Sequence, residues 1–513
     1  MVAEPSQAIR RQPRRPTLLD AVAPVVVLIV LIVLTIVLFG TGSTDGPLQI
    51  ALMAAAVFVG LVAFKNGHTV AAVRDAAIGG VTTALGAVFI LLAVGALIGA
   101  WNLSGTIPTV VSYGLSLLNP AIFYFAVAII CAVVGMVTGS SWTTAGTLGV
   151  AFVGMAPVLH VSPEAAAGAV ISGGYMGDKM SPLSETTVLV PSIVGGVTVQ
   201  QHIRGMARTV APSFAIALVI FLLMGLNSGG GSAAESTKKA QDAVGAVFNI
   251  SVLSLLPLLL LVILSLRQVP PFLAIFGTAI LSCAFAAFAQ PNVVRDFVGK
   301  PEQGAVLTAV EAAYKAMGEG FVLKSGNETI DTLFSRGGMA GMLTTVWLIF
   351  GALSFAAVME HAGFLNRLIT PLVASAHSAG RLIATVVATC VGLNIVAGDE
   401  YVADVLPSRA YRDAFARNGL APRMLSRTVE DAGTVTSPLV PWNSCGAYMT
   451  GVLGVSTLQY LPYCFFNIVN PLVALLFGFT GLGVERLSSS TGGEDLSKQA
   501  RSRARTHDRP TVD

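Results

Sequence analysis

Four segments of this 513-residue chain place charged or hydroxyl side chains inside otherwise apolar surroundings. Such groups are costly at membrane depth and default to a functional role. The first is Gly139-Ser140-Ser141-Trp142-Thr143-Thr144-Ala145-Gly146-Thr147, which joins apolar arms at 120–138 and 148–160. Its hydroxyls are hard oxygen donors suited to Na+, and its glycines let the backbone approach an ion closely. The alternative is a packing surface of small residues. The second runs from Gly177 through Asp178, Lys179, Ser181, Pro182 and Glu185 to Thr187. Pro182 removes a helical donor, which predicts a break beside an acid and a freed carbonyl at Asp178. The alternative there is a structural Lys–Asp pair.

The third segment is Gly398-Asp399-Glu400-Tyr401-Val402-Ala403-Asp404. The competing reading, strongest for Asp404, is a helix end at the cytoplasmic surface. The fourth spans residues 426–446 and holds Glu430, Asp431, Pro438, Pro441, Asn443 and Ser444. Two prolines three apart exclude an undisturbed helix. Glu430 and Asp431 are expected at or just inside the cytoplasmic entrance, or as a helix start salt-bridged to Arg427.

The chemistry that fits these residues is cation and proton exchange. A buried carboxylate can hold a proton or, when a cation approaches, the cation. Asp178 and Asp399 are the expected carriers, with Na+ at either. Ser140, Thr143, Ser181 and Asn443 would supply neutral oxygens. Lys179 would balance Asp178 when no ion is bound, and Glu185, Glu430 and Asp431 complete the set. The six histidines show no metal spacing and the five cysteines form no CxxC, so they read as buried, reduced thiols. There is no GxxxxGK[ST] phosphate loop and no nucleophile–base constellation, which argues against an ATP-driven pump and a membrane-embedded hydrolase. No cofactor is expected beyond the transported Na+ and H+.

The elements that position these residues follow from composition. Charged residues make up 11% of the chain, hydrophobic ones 54%, and mean hydropathy is +0.76. A soluble domain carries about 25% charged residues. Several apolar runs approach the roughly 20 residues needed to cross a bilayer. The reading is an all-α polytopic protein in lipid. A net charge of +3 is too small to suggest a nucleic-acid partner. Residues 1–18 form a basic tail ahead of the first crossing, and the following run is too long for a signal peptide. Residues 227–247 read as a flexible external linker, 291–337 as a polar stretch with short amphipathic helices, and 486–513 as a disordered tail.

An internal repeat organises the rest. Gly95-Ala96-Leu97 recurs as Gly351-Ala352-Leu353, and Ser181-Pro182-Leu183 as Ser437-Pro438-Leu439, both at an offset of 256. The first repeat would cover 19–226 and the second 248–485, each with about five transmembrane helices and one re-entrant hairpin. With both termini and a loop at 65–80 cytoplasmic, 22 of the 30 Lys and Arg residues fall inside. An odd number of crossings turns the second half upside down, an inverted-topology arrangement common in secondary transporters. A homodimer is left open.

At the four motifs the sequence resembles the NhaC-type sodium/proton antiporters of the ion-transporter superfamily. The resemblance is carried by GSSWTTAGTLG (139–149), GDKMSPLSETTVL (177–189), GDEYVADVLP (398–407) and SRTVEDAGTVTSPLVPWNSCGAYM (426–449). It extends over about residues 20–485. It implies an Na+/H+ antiporter of the cytoplasmic membrane. Some members of the family exchange organic anions as well, coupling malate uptake to lactate and cations, and the motifs do not separate the two.

Overall fold

A computed structural model describes residues 13–227, 233–300, 302–376 and 378–486. The outer parts of both predicted tails and residues 228–232 of the linker lie outside the described residues. The first half contains α1 (Leu18–Phe39), α2 (Pro47–Lys65), α3 (Val70–Leu103), α4 (Thr106–Leu117), α5 (Phe123–Thr138), α6 (Ser141–Thr144), α7 (Val150–Val158), α8 (Pro163–Lys179), α9 (Glu185–Val194) and α10 (Val199–Asn227). Then come α11 (Ala233–Val247), α12 (Leu256–Leu266), α13 (Pro271–Ala289), α14 (Pro291–Val298), α15 (Ala305–Gly318), α16 (Glu328–Phe334), α17 (Leu343–His361) and α18 (Phe364–Ser375). The chain closes with α19 (Ala379–Val396), α20 (Glu400–Ala410), α21 (Arg412–Arg417), α22 (Pro422–Thr436), α23 (Ser444–Leu453), α24 (Thr457–Tyr460) and α25 (Phe465–Thr480).

The described residues form helices joined by short turns and loops and no strand, with one isolated bridge between Leu420 and Arg486. Among the described residues, eight helices are long and apolar enough to cross a membrane, or ten if two bent pairs each count as one span. Their outward faces are apolar, as lipid requires: Leu19, Val37, Phe288 and Phe479 are all more than 60% exposed.

Two expected loops are helical instead. Residues 65–80 are interrupted only at 66–69, where Thr69 caps α3 by accepting from the Ala72 amide at 3.2 Å. The segment that follows is rich in alanine, so it propagates a helix without needing apolarity. The linker is likewise helical from Ala233 to Val247, for the same compositional reason. The 291–337 stretch does form short helices, α14, α15 and α16.

The apolar run 165–198 breaks where Pro182 predicts, leaving Met180–Ser184 between α8 and α9. Helix α8 runs parallel to α5. Tyr124 at the start of α5 accepts from the Ser162 amide at 2.7 Å, and Gly177 near the end of α8 packs on Ala132 and Met136. The segment between them, α6 and α7, therefore returns to the level at which α5 began. The two arms form a V with its point at Gly139 and Ser140. Gly139 is left-handed, with φ +66°, and a Cβ there would lie 2.8 Å from the Leu183 backbone. Both facts require glycine.

Gly173 and Gly177 form the close α5–α8 contact, since a Cβ on either would strike a backbone carbonyl of α5, Ala128 or Ala132. A GxxxG spacing of this kind lets two backbones approach. Gly177→Ala is expected to cost about 1–3 kcal/mol through overpacking. Thermal unfolding in detergent should show the loss, and an unchanged midpoint would mean that the contact is loose.

The same element order recurs later. The starts of α5, α6, α8 and α9 are followed by those of α19, α20, α22 and α23 at offsets of 256 to 259 residues. Helices α10 and α25 run antiparallel: Arg208 meets Glu485 at 2.6 Å at one end, and Phe221 meets Phe465 with ring centroids 4.9 Å apart further along.

Candidate functional site

The turn at Gly139–Ser140, the turn at Gly398–Asp399, the break between α8 and α9 and the start of α23, which follows the break after α22, border one cavity of about 1190 Å³. Ser140, Thr143, Asp178, Glu185 and Asp399, all expected from the sequence, line it. So do Glu400, Tyr401, Ser444 and Cys445. It reaches the exposed residues Gln268, Glu360, His361 and Arg409 at one end.

At the first turn Ser140 caps α6. Its Oγ accepts from the Thr143 amide at 3.1 Å and from Thr143 Oγ1 at 3.0 Å. The next amide, of Ser141, donates to Asp178 Oδ2 at 2.9 Å. The other carboxylate oxygen of Asp178, Oδ1, is buried without a hydrogen-bond partner. An unmatched anionic oxygen beside a cavity is a place for a cation or a proton. A π-turn over Ala145–Gly149 follows, a distortion frequent at functional sites. The turn is docked on the second half: the Trp142 ring stacks on Tyr448 with centroids 3.9 Å apart, and Tyr448 Oη donates to the Trp142 carbonyl at 2.9 Å.

The second turn is built alike but with an acid. Asp399 caps α20, its Oδ1 accepting from the Val402 amide at 3.0 Å. Glu400 Oε2 accepts from Cys445 Sγ at 2.6 Å and from Ser437 Oγ at 3.3 Å. Tyr401 Oη donates to Glu185. The Ser444 amide, just past the second break, donates to the Gly398 carbonyl at 2.9 Å. Each turn thus binds the neighbouring break by hydrogen bonds, so the site is held by four short, interlocked segments.

The remaining expected residues do not face the cavity. Lys179 pairs with Asp431, not with Asp178, and both are fully buried. Asp431 Oδ1 also accepts from Thr209 Oγ1 at 2.9 Å and Asn470 Nδ2 at 3.0 Å. Adjacent residues on a helix point about 100° apart, so Asp178 and Lys179 serve different faces. Glu430 and Asp431 sit in the middle of α22, fully buried, not at an entrance. Glu430 Oε1 accepts from Thr186 at 2.9 Å and Thr187 at 3.4 Å. Arg427 approaches Asp431 only to 3.9 Å.

Asp404 is fully buried rather than at a surface helix end. The Asp178 carbonyl is not freed: the Ser181 amide donates to it at 2.9 Å, because the chain turns tightly where Pro182 ends the helix. Ser181 is sealed, its Oγ accepting from the Leu183 amide at 3.2 Å. Asn443 is a cap, accepting from the Cys445 amide at 3.0 Å, and it donates to Asn394 Oδ1 at 3.0 Å. All five cysteines are free and buried.

Glu400, Tyr401 and Cys445 line the site without being expected there from the sequence. Glu400 follows Asp399 directly, and a second acid in the first turn after a capping acid is the signal that the sequence carries. The Cys445 thiol offered none.

The sequence profile described as the Na+/H+ antiporter family matches residues 16–195 and 175–482. The chain is 36% identical to the Na(+)/H(+) antiporter NhaC of Alkalihalophilus pseudofirmus over 443 residues, 86% of this chain and 91% of that protein. It is 33% identical to the malate-2H(+)/Na(+)-lactate antiporter of Bacillus subtilis, covering 91% and 96% of the two chains. It is 34% identical to the arginine/ornithine antiporter ArcD of Halobacterium salinarum, covering 91% and 93%. These relatives are transporters and not enzymes. With eight or more apolar helices, a cavity lined by acids at two broken helices, and matches over most of its length, this chain is a multi-pass membrane protein that belongs to the Na+/H+ antiporter family.

Proposed function

We propose that this chain exchanges Na+ for H+ across the cytoplasmic membrane, with Asp178 and Asp399 as the carboxylates that hold the cation or a proton. The observation that carries the reading is the meeting of both turns in one cavity, where Asp178 presents a buried oxygen without a partner. Glu400 joins them as a third acid. Ser140 and Thr143 supply neutral oxygens from the opposite turn. Na+ bound by such a set and protons bound by the same oxygens exclude one another, which is the requirement for exchange.

The two halves are read as inverted repeats with both termini cytoplasmic. The antiparallel course of α10 and α25 and the recurring element order support this. The open end of the cavity, at Gln268, Glu360 and Arg409, then faces the cytoplasm, and access alternates as one set of helices moves against the other.

Exchange of small carboxylates ranks below this reading. Lys179 is committed to Asp431, which leaves Arg409, at the exposed end, as the permanently charged cation among the described lining residues. An anion would enter a cavity already carrying Asp178, Glu185, Asp399 and Glu400.

The test is transport by the purified protein in liposomes under an imposed sodium gradient. Asp399→Asn keeps the cap on α20 but cannot take a proton. It is expected to shift or remove the pH dependence of exchange. A pH profile identical to that of the unaltered protein would take Asp399 out of the site.

A further inference from the structure

Of the carboxylates buried outside the cavity, Asp20, Glu430 and Asp431 each lie within ion-pair distance of a basic side chain among the described residues, and Asp404 does not. Asp404 lies on α20 one turn beyond Glu400, is fully buried, and does not line the cavity. Its Oδ2 accepts from Thr434 Oγ1 at 2.9 Å. Its Oδ1 is sealed from solvent with no hydrogen-bond partner. Among the described residues it makes no ion pair. An isolated carboxylate with a single hydroxyl donor is a poor resting place for a permanent charge, since buried charges require partners.

Its surroundings are acidic. Glu400 stands on the same helix and Glu430 on α22, with Lys179 already paired to Asp431. The Cys390 thiol of α19 lies within electrostatic reach of it, and on α9 Glu185 is engaged with Tyr401. The charged residues of α18 and α21, Arg367, Arg412, Asp413 and Arg417, are exposed. The space around Oδ1 is also tight. It presses on the α22 backbone at Gly433, where even a Cβ would strike it. A proton needs no such room, whereas a sodium ion does.

We propose that Asp404 is a proton-binding site separate from the cavity, filled in one half of the exchange cycle and emptied in the other, with Glu400 as its link to the cavity. Residues four apart on a helix are neighbours on one face. A proton moving from the Glu400 carboxyl to the Asp404 carboxylate leaves the first ionised and the second neutral, and the reverse step empties it. The proposal rests on the Na+/H+ reading above and adds a proton that does not compete with Na+ for the same oxygens.

The experiment compares two modes in proteoliposomes: Na+/H+ exchange across a range of pH, and Na+/Na+ exchange followed with radioactive sodium at equal pH on both sides. Asp404→Asn retains an acceptor for Thr434 but cannot cycle a proton. It is expected to lower Na+/H+ exchange by about 100-fold or more while Na+/Na+ exchange stays at the wild-type rate. Wild-type Na+/H+ exchange with an unchanged pH profile would overturn the proposal. So would the loss of both modes together with equilibrium Na+ binding in a folded variant, because Asp404 would then belong to the cation site.

If Asp404→Asn does not fold, Thr434→Val carries the test. It removes the one hydrogen bond that favours the ionised carboxylate. The pH profile should move to higher pH by about one unit, with Na+/Na+ exchange unaltered. An unmoved profile overturns the proposal. Failure of the wild-type protein to move protons in response to sodium is a different outcome and would overturn the Na+/H+ reading itself.

Discussion

Asp178→Asn is expected to abolish sodium-dependent proton movement, by about 100-fold or more, while the protein remains folded. The expectation of a folded variant comes from the geometry. Asp178 Oδ2 accepts from the Ser141 amide at 2.9 Å, and the amide oxygen of asparagine can accept the same bond. What the substitution removes is the charge. The amide NH2 that takes the place of the unpartnered Oδ1 then offers neither a site for a proton nor an anionic ligand for sodium. Retention of the protein in a monodisperse detergent peak together with lost exchange is the predicted pair of results. Undiminished exchange in Asp178→Asn would remove this residue from the mechanism.

The second large effect concerns stability. Lys179→Met leaves Asp431 buried with Thr209 and Asn470 as donors and only the looser contact to Arg427, at 3.9 Å, on the cationic side. Breaking a fully buried pair on one side costs about 3–5 kcal/mol, and Arg427 at 3.9 Å makes no hydrogen bond that would take over from Lys179. The pair also ties the end of α8 to α22, across the two halves, so its loss should loosen the frame around the cavity. Adding Asp431→Asn to the same variant removes the stranded charge while preserving acceptors for Thr209 and Asn470. The double variant is expected to recover most of the loss. Thermal unfolding of the two single variants and the double variant in detergent checks this. A Lys179→Met protein as stable as the original would show that the interior hydrates the aspartate by other means.

How far these features were legible in the sequence differs from element to element. The helical class followed from apolar runs too long for anything but a bilayer. The break at Met180–Ser184 followed from Pro182, and the turns at Gly139 and Gly398 followed from glycines set among hydroxyls and acids. Those are local causes, and local sequence carries them. The partner of Lys179 was not legible, because Asp431 lies 252 positions away and the adjacent Asp178 offered a simpler pairing. The burial of Asp404, against the competing reading of a surface helix end, is illegible for the same reason. The polar run after it suggests a surface, yet packing against Gly433 and Thr434 of α22 buries it. The 65–80 segment reads as a loop because it is not apolar, but its alanines carry α3 from Val70 onward. Hydropathy reports lipid exposure, and it is silent on helices that extend beyond the bilayer or pack inside protein.

The most direct test of the account is purified wild-type protein in liposomes loaded with a fluorescent pH indicator, given an inward sodium gradient in the absence of any organic anion. The account predicts that sodium entry drives protons out and the interior becomes alkaline, and that Asp178→Asn liposomes show no such change. An interior pH that stays constant until malate or lactate is supplied would contradict it.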